Sequence, residues 1–576
     1  MTDEGESMWT AESWLASQSL YSSGDYGEAL ARLDQLLQAA PSHRQAIELA
    51  AHCLHELDHA TREKPDGPAG QPARHRPVDR TEALNRLGCW FYERRQWPQA
   101  QHTFELALSA KPDWPAALSN LSLVLREQKR ATQAEAMLRR ALSIAPDYVA
   151  ARNNLAVLLW QMKRLADAEA QYRQILRIQP DYALAHNNLG LVLLDLGRPR
   201  DAEAAFRHAL AIDAHAPEMH NNLGNALNRQ HRSAEAIAAY RAALSLRPDY
   251  AVARGNLSML LLALGIFEEG WRIYEARYDE SAGTADGTLP PVPYPKWRGE
   301  SLEGKSLLVW PEQGYGDSLQ FCRYLPLLKA RGVARIGVVC PPALHRLFES
   351  LEGVDAVYPL DGKSTIPGHD FWCLMLSLPM HAGTTLETIP GRTPYLRAPA
   401  HLTREWRARL PAGGFKVGLV WAGDPRAHDR GAHAIDQRRS LPARAYLPLL
   451  RVAQSTDVRF VSLQKGAASQ PQIDDLPADL RPFDPMGDVR DFADTAAIVE
   501  SLDLVIAVDT SVAHLAGALD KPVWILSRHD GCWRWLRDRD DSPWYPRARL
   551  FRQTEPGDWA TVIDRVARAL ANLRKP

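Results

Sequence analysis

Three short segments of the chain hold side chains whose types and spacing could do chemistry. The first is PEQGYGDSLQ (311 to 320). Gly314 and Gly316 let the backbone turn tightly, and the amides that follow them would open a helix. Asp317 comes directly after Gly316 and reads either as a cap of that helix or as a general base facing a cleft. An ordinary carboxylate, with a pKa of about 3.9, needs burial or positioning to take a proton from a hydroxyl. A dinucleotide fingerprint would want glycine at position 319, where Leu319 stands, so a dehydrogenase is not expected.

The second segment is VDTSVAHLAGAL (508 to 519). Thr510 and Ser511 would present first-turn amides and hydroxyls to an anion, where the helix dipole favours negative charge. His514 lies one turn on, along the same face. The alternative is a capped helix with a core histidine. The third segment, GDPRAHDRGAHAIDQRRSLP (423 to 442), carries Arg438 and Arg439 and reads as a loop that either neutralises phosphate or is simply a solvated basic surface. Gly316, Gln464 and Lys465 complete the set of candidate donor contacts.

These segments need strands to hold them. KSLLVW (305 to 310) and RIGVVC (335 to 340) flank a helical pattern, which is the spacing of a parallel strand–helix–strand unit. A second set follows: FKVGLVWAG (415 to 423), VRFVSLQ (458 to 464), LDLVIAVDT (502 to 510) and KPVWILS (521 to 527). Two such sheets in series predict two Rossmann-like lobes, 301 to 410 and 411 to 576, with ligands outside the carboxyl ends of the strands.

The N-terminal half has a different order. Leu87, Leu121, Leu155, Leu189, Leu223 and Leu257 recur every 34 residues, each followed by a small residue (Gly88, Ser122, Ala156, Gly190, Gly224, Ser258). Ala100, Ala134, Ala168, Ala202 and Ala236 keep the same phase, as do Phe104, Leu138, Tyr172, Phe206 and Tyr240. Two amphipathic helices per unit, stacked on their neighbours, satisfy this spacing. The pattern resembles the tetratricopeptide repeat. It predicts a repeat array over 81 to 280, a degenerate unit within 1 to 60, and linkers at 61 to 80 and 281 to 300.

Asn120, Asn154, Asn188, Asn222 and Asn256 precede the phased leucines. Asparagine is mediocre inside a helix, so five phased copies need a reason. They form either inter-repeat hydrogen bonds or a ladder that grips the backbone of a protein acceptor, each amide offering a donor and an acceptor to a peptide group.

Composition bounds the rest. Lys plus Arg (68) nearly cancel Asp plus Glu (69), so no global field draws nucleic acid or an anionic membrane. No apolar run approaches the ~20 residues of a membrane span, and the acidic start MTDEGESMWT lacks an export signal. The six scattered cysteines predict buried thiols in a reducing cytoplasm. Asp538 and Asp540 form a D-x-D in a highly charged tract that reads as a solvated loop, and no metal or other cofactor is expected.

The strings G-D at 316 to 317, R-S-L-P at 439 to 442 and D-T-S-x-x-H-L-A at 509 to 516 resemble the lipopolysaccharide heptosyltransferases of glycosyltransferase family 9, over roughly residues 300 to 570. That resemblance implies the two-lobed fold called GT-B. It also implies Asp317 as base, Arg439 at a phosphate contact where the family has lysine, and Asp509, Thr510, Ser511 and His514 around a nucleotide diphosphate. The family's proline six residues after the acid is replaced by Arg323, which implies a different acceptor side. Repeats followed by P-K-W-R-G-E-x-L-x-G-K (295 to 305) and E-Q-G-x-G-D are similar to bacterial repeat-containing glycosyltransferases, some of which modify flagellin, and share the plan of the O-linked N-acetylglucosamine transferase. The implied activity is an inverting, metal-independent transfer from a nucleotide-sugar to Ser or Thr of a protein held by the asparagine ladder. A transferase acting on glycan or lipid-linked sugar, and a repeat scaffold with a silent second half, are the alternatives.

Overall fold

A computed structural model describes residues 3–40, 43–62, 79–278, 290–426 and 430–573, and the chain divides into two compact units, Met1–Arg232 and Ser233–Pro576.

The first unit is helical throughout its described length. Helices Asp3–Ser22, Tyr26–Ala39 and Arg44–Arg62 are followed by the phased helices Arg80–Glu93, Trp97–Ala110, Pro115–Glu127, Ala131–Ile144, Val149–Gln161, Leu165–Ile178, Ala183–Asp195, Pro199–Ile212 and Pro217–Arg229. The third helix runs two residues into the stretch expected to be a linker; residues 63–78 lie outside the described residues, as do 281–289 of the second expected linker. One continuous apolar core, from Ala29 to Ala226, runs through the unit.

The phased glycines have a steric cause. A Cβ on Gly88 would sit 2.5 Å from Phe104 Cε1, and one on Gly190 would sit 2.5 Å from Phe206 Cε1. Each aromatic ring occupies the space that glycine leaves on the partner helix, which lets the two backbones approach closely. The turns between paired helices are also phased. Arg95, Lys129, Lys163, Gly197, His231 and Gly265 all have φ between 58° and 75°, the left-handed conformation that ends a helix.

A ladder of charge ties successive repeats on another face. Glu135 takes Arg139 at 2.7 Å on its own helix and Arg164 at 2.9 Å from the next repeat; Glu169 does the same with Arg173 (2.7 Å) and Arg198 (2.9 Å), and Glu203 with Arg207 (2.9 Å) and Arg232 (2.6 Å). Burial is the largest single influence on the Glu135 and Glu203 carboxyls and raises both, yet the arginines, joined by Gln230 at Glu203, together hold them below the usual range.

The second unit opens with three more helices, Ser233–Leu246, Ala251–Ala263 and Phe267–Tyr274, and continues into two parallel sheets. Strands β1 (Ser306–Trp310), β2 (Arg335–Cys340), β3 (Ala356–Pro359) and β4 (Phe371–Leu374) lie in the order β3-β2-β1-β4. Strands β5 (Phe415–Val420), β6 (Val458–Ser462), β7 (Leu504–Val508), β8 (Val523–Ser527) and β9 (Ala548–Arg552) lie in the order β6-β5-β7-β8-β9. Every pairing is parallel, which explains the near-continuous apolar runs: the strands are covered on both faces. The segment 423–442 is not a loop throughout, because Arg430–Arg439 forms a helix.

One apolar cluster combines residues of both sheets with Phe267, Trp271 and Tyr274. Arg323 lies inside it. Its Nη1 donates to the Trp544 carbonyl at 2.7 Å, its Nη2 to the Tyr395 hydroxyl at 2.9 Å, and its guanidinium stacks over Tyr395 and Tyr545 at 4.5 and 4.8 Å. Arg323 thus pins together segments that follow strands of the two sheets and is itself deeply buried.

Candidate functional site

The site is assembled at the carboxyl ends of β1, β5, β7 and β8. After β1 the chain turns through Glu312, Gln313 and Gly314 into the short helix Tyr315–Phe321. Glu312 accepts from Arg277 Nε at 2.8 Å and Nη2 at 2.7 Å through one oxygen, and from the Leu376 amide at 2.7 Å through the other. Gln313 Nε2 donates to the Tyr274 hydroxyl at 3.1 Å. The loop that carries Asp317 is therefore fastened to Tyr274 and Arg277, at the end of the last repeat helix.

Asp317 uses both carboxylate oxygens. Oδ2 accepts from the Gly314 amide at 2.9 Å, the capping role, and Oδ1 forms an ion pair with Arg534 Nη2. The side chains of Arg534 and Asp317 are only 10% and 13% exposed, so removing one partner would strand a buried charge, at a cost of about 3–5 kcal/mol. Burial is the largest single influence and works against the charge on Arg534, but Asp317, Cys532 and Tyr274 together outweigh it and hold the guanidinium's pKa above its usual value. The guanidinium lies 4.4 Å over the Trp533 ring.

Gly316 packs directly against the helix that follows β7. A Cβ there would meet His514 Cδ2 at 2.8 Å and Ser511 Cα at 3.5 Å, so only glycine lets the two segments meet. His514, on the helix Ser511–Ala518, is buried, shares a hydrogen bond with the Tyr545 hydroxyl at 2.9 Å through Nδ1, and stacks on Trp535 with ring centroids 5.0 Å apart. Burial, then Arg534, Arg323 and Arg439, drive its pKa well below the ordinary 6.5, so the imidazole is neutral.

Thr510 caps that helix. Its Oγ1 is buried and has no hydrogen-bond partner among the described residues, a condition that buried hydroxyls rarely tolerate. Arg439 donates to the Asp509 carbonyl at 3.0 Å and to Asp436 at 3.0 Å, which brings its charge to the same place. The structure therefore gathers Gly316, Asp317, Arg439, Asp509, Thr510, Ser511 and His514, as the sequence suggested. It adds Arg534, whose Nε is also buried without a partner among the described residues. It further adds Arg528 at the end of β8, whose Nη1 is buried without a hydrogen-bond partner there while its Nε meets Asp530 at 3.1 Å. In the sequence Arg534 stands out only as the neighbour of two tryptophans, and nothing local marks Arg528.

Gln464 and Lys465 sit beside this group with other duties. Gln464 Oε1 accepts from the Trp421 and Ala422 amides at 3.0 and 2.9 Å, while Nε2 donates to the Ala422 carbonyl at 3.0 Å and Ser469 at 2.8 Å, so the side chain holds the loop after β5. Lys465 is exposed and its Nζ reaches the Val489 carbonyl. Asp538 and Asp541 line a separate recess of about 470 Å³ with Arg537 and Arg539. Among the described residues no cluster of three or more His, Cys, Asp or Glu side chains gathers in a way that would hold a metal ion.

In the repeats the asparagines are half-buried. Asn120 Nδ2 donates to Asn85 Oδ1 at 3.0 Å, Asn154 Nδ2 to Ser119 Oγ at 3.0 Å, and Asn222 Nδ2 to Asn187 Oδ1 at 2.9 Å. Each of these bonds spans 35 residues and so links one repeat to the next. Asn188 Oδ1 accepts from Asn187 at 3.4 Å, and Asn256 stands in the matching place on helix Ala251–Ala263 of the second unit. Asn120, Asn154 and Asn222 thus each carry the inter-repeat bond.

Comparisons with known proteins fall mainly on the repeats. Residues 125–191, and residues 85–149, 187–251 and 221–282, match models of the tetratricopeptide repeat, so the chain contains such repeats. It is 28% identical over 358 residues to Protein FlbA of Caulobacter vibrioides, covering 56% of this chain and 56% of the relative. The chain thus spans about half the length of the curated relative it matches. Among solved structures it is similar to pilF of Pseudomonas aeruginosa (20% identity, 35% of this chain and 87% of that one, TM-score 0.30) and to a thermophilic TPR protein of Thermus thermophilus (27% identity, 32% and 99%, TM-score 0.28). A MamA protein is 18% identical over 30% of this chain and 93% of its own, with a TM-score of 0.27. No described helix is long and apolar enough to cross a membrane.

Proposed function

We propose that the second unit is a glycosyltransferase of the two-lobed GT-B type, that its donor is a nucleotide-sugar, and that its acceptor is a Ser or Thr hydroxyl of a protein bound by the repeats in the cytoplasm. The observation that carries this reading is the meeting of one acid with a built anion site. Asp317 stands beside Arg534, Arg439 and the amide end of helix Ser511–Ala518, where the Thr510 hydroxyl is buried without a partner among the described residues.

In the proposed reaction the acceptor hydroxyl attacks the anomeric carbon of the donor sugar. The new bond joins acceptor oxygen to that carbon, and the bond from the carbon to the diphosphate oxygen breaks. The electron pair leaves with the nucleoside diphosphate, and the acceptor proton passes to Asp317. A single displacement inverts the anomeric centre. Arg439, Arg534 and the amides at Ser511 spread the charge on the departing diphosphate. His514 is neutral, and so serves as a hydrogen-bonding wall beside Gly316 and not as a second cation.

Tetratricopeptide repeats suit the recognition of a protein partner, and the half-buried asparagines keep part of each amide exposed along the array. The test is intact-mass analysis of candidate surface proteins, flagellin first, after incubation with the full chain and a panel of nucleotide-sugars. A sugar-sized mass increment that disappears with Asp317→Asn supports transfer. No increment on any protein or glycan acceptor, with tight protein binding by the repeats, would favour a scaffold.

A further inference from the structure

Arg534 and Asp317 hold each other in a way that bears on when the proposed base can act. Oδ2 of Asp317 is committed to the Gly314 amide, and Oδ1 is committed to Arg534. While both bonds stand, each oxygen keeps a lone pair, but the negative charge of the carboxylate is already opposed by a guanidinium. Arg534, for its part, has a second claim on it. Its Nη1 makes only a weak contact with Cys532 Sγ at 3.2 Å, and its Nε is buried with no partner among the described residues. Trp535, the next residue, stacks on His514, and His514 lies one turn after the unpartnered Thr510 hydroxyl. Arg534 thus holds the acid, lies close enough to His514 to act on its charge, and keeps an unspent donor at Nε.

We infer that Arg534 is shared between two competing anions: the Asp317 carboxylate, and the diphosphate group of a nucleoside diphosphate at the start of helix Ser511–Ala518. A diphosphate carries more negative charge than a carboxylate and offers more oxygens to a planar guanidinium, so it draws Arg534 away. Donor loading then releases Asp317 to act as base. Binding becomes ordered, donor before acceptor, and the base stays neutralised until the leaving group is in place. The inference rests on the diphosphate reading of residues 509 to 514.

The competition has a signature that an ordinary structural ion pair lacks. With the full chain and inorganic pyrophosphate as the probe, measured calorimetrically, Asp317→Asn removes the competitor and is expected to tighten binding by about tenfold, the value of one charge-assisted hydrogen bond. Arg534→Gln is expected to weaken binding by about tenfold. The double variant should bind like Arg534→Gln alone, because without the arginine the carboxylate has nothing to compete for. Unchanged or weaker pyrophosphate binding in Asp317→Asn, or a double variant in which the two effects simply add, would overturn the inference. If Asp317→Asn does not fold, Asp317→Ser removes the same charge, and the pyrophosphate-induced rise in unfolding temperature gives a second reading of affinity. Transfer assays separate this from the wider reading. The pyrophosphate pattern without any sugar transfer by the wild type keeps the shared arginine and retires the transferase. Wild-type transfer with pyrophosphate affinity indifferent to Asp317 does the reverse.

Discussion

Gly190→Ala and Gly255→Ala make the same chemical change in the middle of two phased helices, and the structure predicts opposite results. At Gly190 the new Cβ would lie 2.5, 2.7 and 2.8 Å from three carbons of the Phe206 ring, against a preferred carbon–carbon separation of about 3.5–4.0 Å. Either the ring leaves its rotamer or the two helices move apart, and overpacking of this kind costs typically ~1–3 kcal/mol. Alanine is the better helix former by about 0.8 kcal/mol, which offsets part of that. Taking ~2 kcal/mol for the clash leaves a net loss of roughly 1 kcal/mol, or about 2–4 °C for a unit of this size. At Gly255 nothing lies within 4 Å of the added carbon, so the helix preference acts alone and the second unit gains up to about 1 kcal/mol. Calorimetric unfolding of the two full-length variants reads both. Adding Phe206→Leu to Gly190→Ala should recover part of the loss. A Gly190→Ala protein as stable as Gly255→Ala would refute the ring-in-glycine account of the repeat.

Replacing Asn154, Asn188 and Asn222 together with alanine removes the inter-repeat bonds of Asn154 and Asn222, so the unfolding midpoint should fall by the equivalent of about 0.5–1.5 kcal/mol per bond. If the ladder also holds the acceptor, its affinity should fall when measured well below that midpoint, while donor hydrolysis persists; unchanged acceptor affinity would leave the asparagines a purely structural role. Because His514 is held neutral, its pKa is lower folded than unfolded, so its contribution to stability is full above about pH 6.5 and is lost as pH falls towards the folded value. His514→Gln should flatten that part of the stability profile of the second unit, and an unaltered slope would mean that the histidine titrates normally. Transfer activity should survive excess EDTA, and loss restored by a divalent ion would return attention to Asp538 and Asp540.

The parts of the fold visible in the sequence are those where one physical constraint repeats or acts locally. Phased Gly88 and Gly190 stand out because each must clear an aromatic ring, whereas the phased left-handed turn is hidden: only Gly197 and Gly265 announce it, and Arg95, Lys129, Lys163 and His231 adopt the same conformation without the expected residue. The strands legible in the sequence include all the interior ones. The three that are not, β3, β4 and β9, are all sheet edges. Two are four residues long, and β9 carries Arg549 and Arg552 among its five residues, so none has the long apolar run that burial on both faces imposes. Helix Arg430–Arg439 is hidden by its charge: its sequence is dominated by polar side chains and lacks a wide apolar stripe.

The site follows the same division. Gly316, Asp317, Thr510 and His514 lie where strands turn into helices, which local pattern reveals. Arg534 meets Asp317 across 217 residues of sequence, and only the packing of the two sheets could show that they are partners. Gln464 does lie near the group, yet its amide is spent on the loop after β5, a distinction that needs coordinates.

The boundary between the compact units falls at Arg232, inside the repeated region, and this has a consequence for how such a protein can be recombined. Phe267, Trp271 and Tyr274 belong to the apolar cluster of the sheets, and Arg277 and Tyr274 fasten the loop that bears Asp317. A junction drawn where the periodicity fades, near residue 280, would remove the footing of the acid along with the array. An exchange that gives the second unit a new set of repeats, by an engineer or by a crossover in a genome, has to leave everything after Arg232 in place, so the helices Ser233–Leu246, Ala251–Ala263 and Phe267–Tyr274 travel with the sheets and only the preceding ones are free to change.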